Sequence, residues 1–234
     1  MRKDFEGKHV LVTGAGGALG AAVAMRLGLR GAICHLVDRE EAFTAPAGVA
    51  PENARLVRGI DLTDEASVIR VYDALPSLWA SIHCAGGFSM SGVTETSRDD
   101  LEAMWRINVL TCFLCCREAA RVLRAAGHGG RIVNVSARPG LEPRSGAGMT
   151  AYTASKAAVA AFTQAMGEEL AAESIWVNAV APSILDTEAN RRAMPDADPS
   201  LWASTDAVAE TIACLASPEN GATRSAVVPV YARV

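Results

Sequence analysis

A tyrosine and a lysine stand four residues apart, at Tyr152 and Lys156, in a stretch whose composition predicts a helix. Side chains at positions i and i+4 of a helix lie on the same face, so the two groups would be neighbours. A free tyrosine has a pKa of about 10 and is a poor base at neutral pH, but a nearby ammonium stabilises the phenolate. The pair can therefore exchange a proton with a substrate oxygen, although the spacing alone is common by chance.

A glycine-rich turn in the same chain argues that the spacing of Tyr152 and Lys156 is functional. Glycines after a strand and before a helix permit a tight turn and let backbone N–H groups approach a pyrophosphate. An apolar run precedes this turn and an alanine-rich run follows it, so the turn predicts a dinucleotide site. A positively charged nicotinamide ring would further stabilise the Tyr152 phenolate and exchange hydride with the substrate. The candidate contacts of the turn are Gly14, Gly16, Gly17, Ala18, Leu19 and Gly20.

Acidic residues end the next two predicted strands. Asp38 lies 18 residues after Gly20, near the spacing of about 20 expected for the acid that binds the adenosine ribose. A carboxylate there accepts hydrogen bonds from both ribose hydroxyls and repels a 2′-phosphate, so we expect NAD as the cofactor. Arg39 can receive a 2′-phosphate and keeps NADP as the alternative. Asp61 and Leu62 end the third strand and are candidates to contact the adenine. For Asp38 and for Asp61 the simpler interpretation is that the carboxylate caps a helix.

Strand-like and helical segments alternate along the chain. The strands are continuous apolar runs, which is typical of strands buried on both faces. We therefore predict an α/β fold, a doubly wound parallel sheet of the Rossmann type, with residues 1–234 as a single domain and ligands beyond the carboxyl ends of the strands. Strands are predicted at 9–13, 33–37, 54–59, 80–84, 131–135, 174–180 and 226–230, and helices at 19–29, 64–75, 98–126, 152–172 and 205–216.

Composition narrows the class of partner. Half of the 234 residues are hydrophobic, 21% are charged and the net charge is −4, which argues against nucleic-acid binding. No apolar stretch reaches the length of about 18 residues that a membrane span needs. The first eight residues are mostly charged and do not resemble a secretory signal, so we expect a cytoplasmic protein with a small-molecule substrate.

The six cysteines include a C-x-x-C pair, Cys112 and Cys115, with the spacing of a redox or zinc motif. The pair falls inside a predicted helix, and no second cysteine or histidine pair stands at zinc spacing. We therefore expect buried, reduced thiols that act as small hydrophobes, and no metal.

Taken together, these segments resemble the short-chain dehydrogenase/reductase family over nearly the whole chain. The resemblance implies Tyr152 as the acid/base, Lys156 as the group that lowers its pKa and holds the nicotinamide ribose, and Asn108 as the holder of a water that relays protons to Lys156. It also implies a small alcohol or carbonyl substrate and a homo-oligomer, either a tetramer or a dimer. The matching pieces are 13–20, Asp38, Asp61-Leu62, Ala85-Gly86, Asn108, 132–136, 152–156, Pro182-Ser183 and Thr187. The further cofactor contacts that it implies are Ala85, Gly86, Gly87, Pro182, Ser183, Ile184 and Thr187.

Three departures from the family pattern stand out. Ala18 replaces the second glycine of the turn, and His83-Cys84 replace a pair of asparagines. Ala137 occupies the place of the active-site serine. Ser136 is adjacent, but neighbouring residues of a strand point to opposite faces. We keep Ser136 as a catalytic candidate, with a hydroxyl bonded to nearby backbone as the alternative and Ser145 as the weaker candidate.

The segment from Leu185 to Trp202 is similar to the corresponding segment of the dihydropteridine reductases, which belong to the same superfamily and use NADH. Reduction of a quinonoid pterin is therefore an alternative function. A non-catalytic dinucleotide-sensing protein on the same fold is an alternative of another class. The presence of Asn108, Tyr152 and Lys156 together argues against a sensor, which needs no proton relay.

Overall fold

A computed structural model describes residues 3–234, and its central feature is a parallel sheet. Within the described residues, seven strands form this sheet in the order β3-β2-β1-β4-β5-β6-β9, and two further short strands, β7 and β8, pair with each other. The strands are β1 (His9–Thr13), β2 (Ile33–Val37), β3 (Ala54–Val57), β4 (Ala80–His83), β5 (Gly130–Val135), β6 (Ile175–Pro182), β7 (Leu185–Asp186), β8 (Ala203–Ser204) and β9 (Val227–Val230).

Helices cover both faces of the sheet. Residues of α1 and α8 pack with one face into one apolar core, and residues of α2, α4 and α6 pack with the other face into a second. The sheet is therefore buried on both sides, as the continuous apolar strands predicted. The helices are α1 (Ala18–Leu29), α2 (Glu65–Asp73), α3 (Arg98–Met104), α4 (Thr111–Ala126), α5 (Arg138–Leu141), α6 (Thr150–Glu169), α7 (Glu188–Ala193) and α8 (Thr205–Ala216).

The strand order creates one reversal in the winding of the chain. From β1 the chain adds β2 and β3 on one side, and then returns to place β4 on the other side of β1. Ligands of such sheets bind beyond the carboxyl ends of the strands at this reversal. The turn after β1 and the turn after β4 therefore meet at the predicted cofactor site, and the predicted doubly wound fold is confirmed.

Local differences from the predicted elements concern short or irregular segments. Residues 98–126 are helical throughout, as predicted, but a π-helical turn, Trp105–Leu110, lies between the α-helical segments α3 and α4. The short α5 and α7 and the β7–β8 pair were not predicted, because they are too short to show a period in the sequence. Asp64 caps α2 by accepting a hydrogen bond from the backbone N–H of Ser67. None of the helices in the described part of the chain is long and apolar enough to cross a membrane.

Candidate active site

The glycine turn between β1 and α1 is shaped by close backbone approaches. Gly14 has φ +63°, and a Cβ there would lie 2.8 Å from the backbone nitrogen of Ala85, which follows β4. A Cβ on Gly20 would overlap the carbonyl oxygen of Gly14. Only glycine fits these two positions without a shift of the backbone. The turn is thus held tightly against the carboxyl end of β4.

Asp38 is fixed beside this turn at the end of β2. Its Oδ2 accepts a hydrogen bond from the backbone N–H of Gly16 at 2.8 Å, and its Oδ1 accepts one from the backbone N–H of Glu40 at 3.1 Å. The residue is only 8% exposed. Arg39, in contrast, has a side chain that is 74% exposed and lies 3.4 Å from the Glu40 carboxylate. The acidic side chain is therefore preorganised at this point, whereas the basic one is a solvated surface group.

A groove of about 940 Å³ crosses the reversal point of the sheet. The predicted cofactor residues that line it are Gly14, Gly16, Gly17, Asp38, Arg39, Asp61, Leu62, Ala85 and Gly86. The sequence did not single out Glu40, or Arg106 and Ile107 of the π turn, which line it as well. The position of these last two directly before Asn108 is the signal that would have identified them. The Oδ1 of Asp61 accepts hydrogen bonds from the N–H and hydroxyl of Thr63, so this carboxylate also stabilises its own turn.

The remaining predicted cofactor contacts do not line this groove. Ala18, Leu19 and Gly20 form the first turn of α1, and Leu19 is buried in the core. Beyond the end of β6, the Ser183 hydroxyl donates to the Tyr231 carbonyl at 2.7 Å, while Thr187 caps α7 by accepting from Asn190. Pro182 is buried and Ile184 is exposed. These residues belong to the carboxyl edge of the same parallel sheet.

Tyr152 lies in the first turn of α6 and Lys156 one turn later, as their spacing predicted. The Lys156 Nζ donates a hydrogen bond to the Val135 carbonyl at the end of β5, at 2.9 Å. The same Nζ lies 6.0 Å from the centre of the Tyr152 ring. Phe88 packs edge-on against that ring with a centroid separation of 4.9 Å. The end of β5 thus anchors the ammonium, and the loop after β4 supports the tyrosine.

The protonation states of this pair follow from burial. Burial raises the pKa of the Tyr152 hydroxyl to about 12 and lowers the pKa of the Lys156 ammonium to about 8. Lys156 is therefore mostly charged at neutral pH, and Tyr152 is a neutral phenol that can donate a proton. To accept a proton instead, Tyr152 must first be a phenolate. Stabilising that phenolate at neutral pH needs more positive charge than Lys156 alone provides, and an oxidised nicotinamide would add such a charge.

Asn108 connects the loop after β4 to α6. Its Oδ1 accepts from the backbone N–H of Gly87 at 2.8 Å, and its Nδ2 donates to the Gly87 carbonyl and to the Ser155 hydroxyl, each at 3.0 Å. The residue lies in the π turn, and such turns are frequent at functional sites. A Cβ on Gly86 would lie 2.8 Å from the Asn108 Oδ1 and 3.3 Å from the Lys156 Nζ. Glycine at position 86 therefore lets these two side chains come together.

Both serine candidates donate their hydroxyls to backbone carbonyls. The Ser136 hydroxyl donates to the Lys156 carbonyl at 2.7 Å and is buried against α6. Ser136 also continues the ladder between β5 and β6, because its N–H donates to the Val180 carbonyl. The Ser145 hydroxyl is exposed and donates to the Glu142 carbonyl. Ala137, in the place of the family serine, is buried.

An apolar wall stands beside Tyr152. Phe88 and Met90 are 61% and 63% exposed, which is unusual for side chains of this type. The segment that carries them is tied to the segment before α6, because the Ser91 N–H donates to the Gly148 carbonyl at 2.9 Å. These two segments can therefore border a substrate next to the tyrosine.

Comparisons with known proteins identify the family of the chain. Residues 8–198 match the family model described as short chain dehydrogenase. A sorbitol dehydrogenase from Cereibacter sphaeroides is 34% identical over 195 residues, which cover 80% of this chain and 73% of the relative.

Two solved structures also match over nearly their whole length. An NAD⁺-bound xylitol dehydrogenase has a TM-score of 0.85 at 25% identity, and the match covers 97% of this chain and 98% of the other. ElxO, solved with NADP bound, has a TM-score of 0.85 at 25% identity, with 96% and 97% covered. The family model and the curated relative together decide the class of the protein. The chain belongs to the short-chain dehydrogenase/reductase family and is an oxidoreductase.

Proposed function

We propose that the protein is an NAD(H)-dependent dehydrogenase or reductase that interconverts a small alcohol and its carbonyl compound, with Tyr152 as the acid/base. One observation carries this proposal: the Lys156 ammonium is held between the Val135 carbonyl and the Tyr152 ring, on the same sheet edge as the dinucleotide groove. A sensor could use the lysine to hold the nicotinamide ribose, but it has no use for a proton-donating tyrosine beside that lysine.

The proposed proton transfer uses groups of this chain alone. A nicotinamide cofactor, when bound, would supply or accept the hydride. In the direction of reduction, the neutral Tyr152 hydroxyl donates its proton to the carbonyl oxygen, and Lys156 stabilises the phenolate that remains. In the direction of oxidation, the phenolate accepts the proton of the alcohol. Asn108 keeps α6 and the loop after β4 in the relative position that this transfer needs.

The preference for NAD over NADP is inferred from charge. The Asp38 carboxylate is fixed at the groove, and Glu40 and Asp61 line it too. A 2′-phosphate next to Asp38 would experience like-charge repulsion at a few ångströms. Arg39 is the opposing group, but its side chain is exposed and lies beside Glu40. The similar solved structures include one with NAD⁺ and one with NADP, so they do not decide between the two cofactors. The inference therefore rests on the charges of Asp38, Glu40 and Arg39 at the groove.

The substrate is proposed to be an alcohol or carbonyl with an apolar flank. Phe88 offers exposed apolar surface against Tyr152, Met90 close by in the chain is exposed too, and the side chain of Ala137 offers no hydrogen bond. A sorbitol dehydrogenase and a xylitol dehydrogenase among the similar proteins recommend polyols as a comparison set. The test is NADH formation or consumption with a panel of secondary alcohols, ketones, polyols and a quinonoid dihydropteridine. Turnover of an alcohol or ketone that Tyr152→Phe abolishes supports the proposal, whereas turnover of the pterin alone would assign the protein to the alternative reductase.

We also propose a homo-oligomer, with an exposed apolar stripe as its interface. Leu101, Trp105 and Phe113 are exposed along α3, the π turn and α4, and Phe113 packs edge-on against Phe162 of α6. Exposed apolar surface of this kind is typical of an interface between subunits. Sedimentation or light scattering should give a dimer or tetramer for the wild type and a monomer for Trp105→Glu/Phe113→Glu. A wild-type monomer would contradict this part of the proposal.

We place the enzyme in the cytoplasm, where its free cysteines stay reduced.

A further inference from the structure

Four buried polar side chains meet beneath the active site, and the proposed reaction uses none of them. His83 is the last residue of β4, Asn134 lies opposite it on β5, and Cys112 and Cys116 lie one helical turn apart on α4. At most 5% of each residue is exposed. The donor atoms of His83, Cys112 and Cys116 all lie within 4.8 Å of one another. The C-x-x-C spacing pairs Cys112 with Cys115, whereas the structure brings Cys116 into this cluster.

Four of the distances between the donor atoms are close to, or somewhat shorter than, those in a tetrahedral zinc site. The His83 Nδ1 lies 3.4 Å from the Cys116 Sγ. The Asn134 Oδ1 lies 2.8 Å from the His83 Nδ1, 3.3 Å from the Cys112 Sγ and 3.2 Å from the Cys116 Sγ. A tetrahedral zinc ion, with Zn–S bonds of about 2.3 Å and Zn–N bonds of about 2.0–2.1 Å, keeps its ligand atoms about 3.3–3.8 Å apart. Small outward shifts would therefore fit the four atoms to zinc.

The hydrogen bonds of this cluster converge on one oxygen. The Asn134 Nδ2 donates to Thr163 at 2.9 Å, so the Oδ1 faces the other three groups as an acceptor. A carbonyl oxygen has two lone pairs, but three donors, one imidazole N–H and two thiols, point at this one. A cation among the four atoms would remove the excess of protons.

The charges and the outer contacts also suit a metal. Zn²⁺ with two thiolates, a neutral imidazole and an amide oxygen has no net charge, which a buried site requires. The other imidazole nitrogen of His83, Nε2, lies 2.8 Å from the Ser81 hydroxyl and 3.2 Å from the Tyr72 hydroxyl. A metal-binding histidine usually has such a partner for its second nitrogen, because the partner fixes the ring and its tautomer.

We propose that His83, Cys112, Cys116 and the Asn134 Oδ1 form a structural zinc site. Binding releases two thiol protons to solvent and forms two Zn–S bonds and a Zn–N bond to Nδ1, while the imidazole proton moves from Nδ1 to Nε2, where the Ser81 and Tyr72 hydroxyls can accept it. The ion clamps β4, β5 and α4 together. Asn134 directly precedes Val135, whose carbonyl holds Lys156, so the clamp stabilises the strand end on which the catalytic lysine depends. This proposal departs from the sequence-based expectation that the thiols bind no metal.

The test is the zinc content of the folded wild-type protein. The protein is expressed in zinc-supplemented medium, washed with EDTA to remove surface metal, denatured, and analysed by mass spectrometry for metals. We expect about one zinc ion per chain. Protein expressed with cobalt instead should show a thiolate-to-cobalt charge-transfer band in the near ultraviolet. Zinc no higher than in the Cys112→Ala/Cys116→Ala variant, or a wild-type cobalt spectrum without that band, would overturn the proposal and leave a hydrogen-bonded cluster.

Matched variants separate loss of the metal from loss of a buried cysteine. Cys116→Ala removes a ligand, whereas Cys34→Ala removes a buried thiol of β2 that packs in the other core. We expect Cys116→Ala to lose zinc and Cys34→Ala to keep it. Zinc retained by Cys116→Ala at the wild-type level would contradict the assigned ligands. If Cys116→Ala does not fold, the wild-type zinc content and cobalt spectrum still decide the question.

Discussion

The Asn108 Nδ2 donates a hydrogen bond to the Ser155 hydroxyl at 3.0 Å, and Ser155 in turn donates to the Tyr152 carbonyl at 2.7 Å. This relationship links the π turn to the residue that we propose as the acid/base. Asn108 also holds both backbone groups of Gly87, next to Phe88 and its contact with the tyrosine ring. The side chain therefore positions Tyr152 from two directions.

Replacing Asn108 with alanine should reduce turnover by about 10²-fold, because small displacements of reacting groups have effects of that size. It should also lower the free energy of unfolding by about 1–3 kcal/mol, since the Gly87 N–H loses its acceptor. Steady-state kinetics and chemical denaturation measure the two effects. Ser155→Ala is the comparison, because it removes one contact and leaves the Gly87 bonds intact. Wild-type turnover in Asn108→Ala would show that Gly87 and α6 hold their positions without it.

Ser136→Ala should reduce turnover by less than about 10-fold, because the Ser136 hydroxyl is bonded to the Lys156 carbonyl. The loss of that buried hydrogen bond should cost about 1 kcal/mol of stability. A donor to the substrate oxygen is worth about 10²–10³ in rate. A loss of that size at unchanged NADH affinity would mean that Ser136 acts on the substrate. Ser145→Ala, at an exposed position, is the matched control and should change neither quantity.

Asp38→Ala should shift the cofactor preference from NADH toward NADPH. Removing the carboxylate removes the repulsion of a 2′-phosphate and the acceptor for the ribose hydroxyls, while Arg39 remains. The ratio of kcat/KM for the two cofactors measures the shift, which we expect to be about 10²-fold, or about 2.7 kcal/mol. A wild-type enzyme that already favours NADPH would refute the assignment of Asp38 and identify Arg39 as the phosphate ligand.

Carbonyl reduction should decline as the pH rises through about 8, where Lys156 loses its proton. Below that pH the ammonium is charged and stabilises the Tyr152 phenolate; above it the lysine is neutral and this stabilisation is lost. Tyr152, with a pKa of about 12, remains protonated throughout this range. Lys156→Arg keeps its charge at all these values. Its kcat/KM should be lower but should lack the decline near pH 8, and a decline that persists in this variant would exclude Lys156 as its source.

Much of the site could be predicted from the sequence because it depends on local patterns. The turn at Gly14 is required by the backbone between one strand and one helix, and Tyr152 and Lys156 meet through helical spacing alone. The strand ends placed Asp38 and Ala85 correctly, because parallel strands share one carboxyl edge.

The remainder of the site depends on contacts between distant segments. His83 meets Asn134 because β4 and β5 are neighbours in register, although 51 residues separate them in the chain. The direction of the Ser136 hydroxyl is decided by the packing of β5 against α6. The π turn has no compositional signature, since all of its residues except Asn108 are ordinary helix or strand formers.

The most direct test of the account compares Tyr152→Phe with the wild type in two measurements on the same preparation. One is turnover of a verified alcohol or carbonyl substrate, and the other is NADH affinity from fluorescence titration. The ring still packs against Phe88 in the variant, and only the hydroxyl is lost. The account predicts turnover lowered by at least about 10²-fold, within the range for loss of an acid/base, with NADH affinity nearly unchanged. Turnover close to that of the wild type, in a variant that binds NADH normally, would contradict the assignment of Tyr152 as the acid/base.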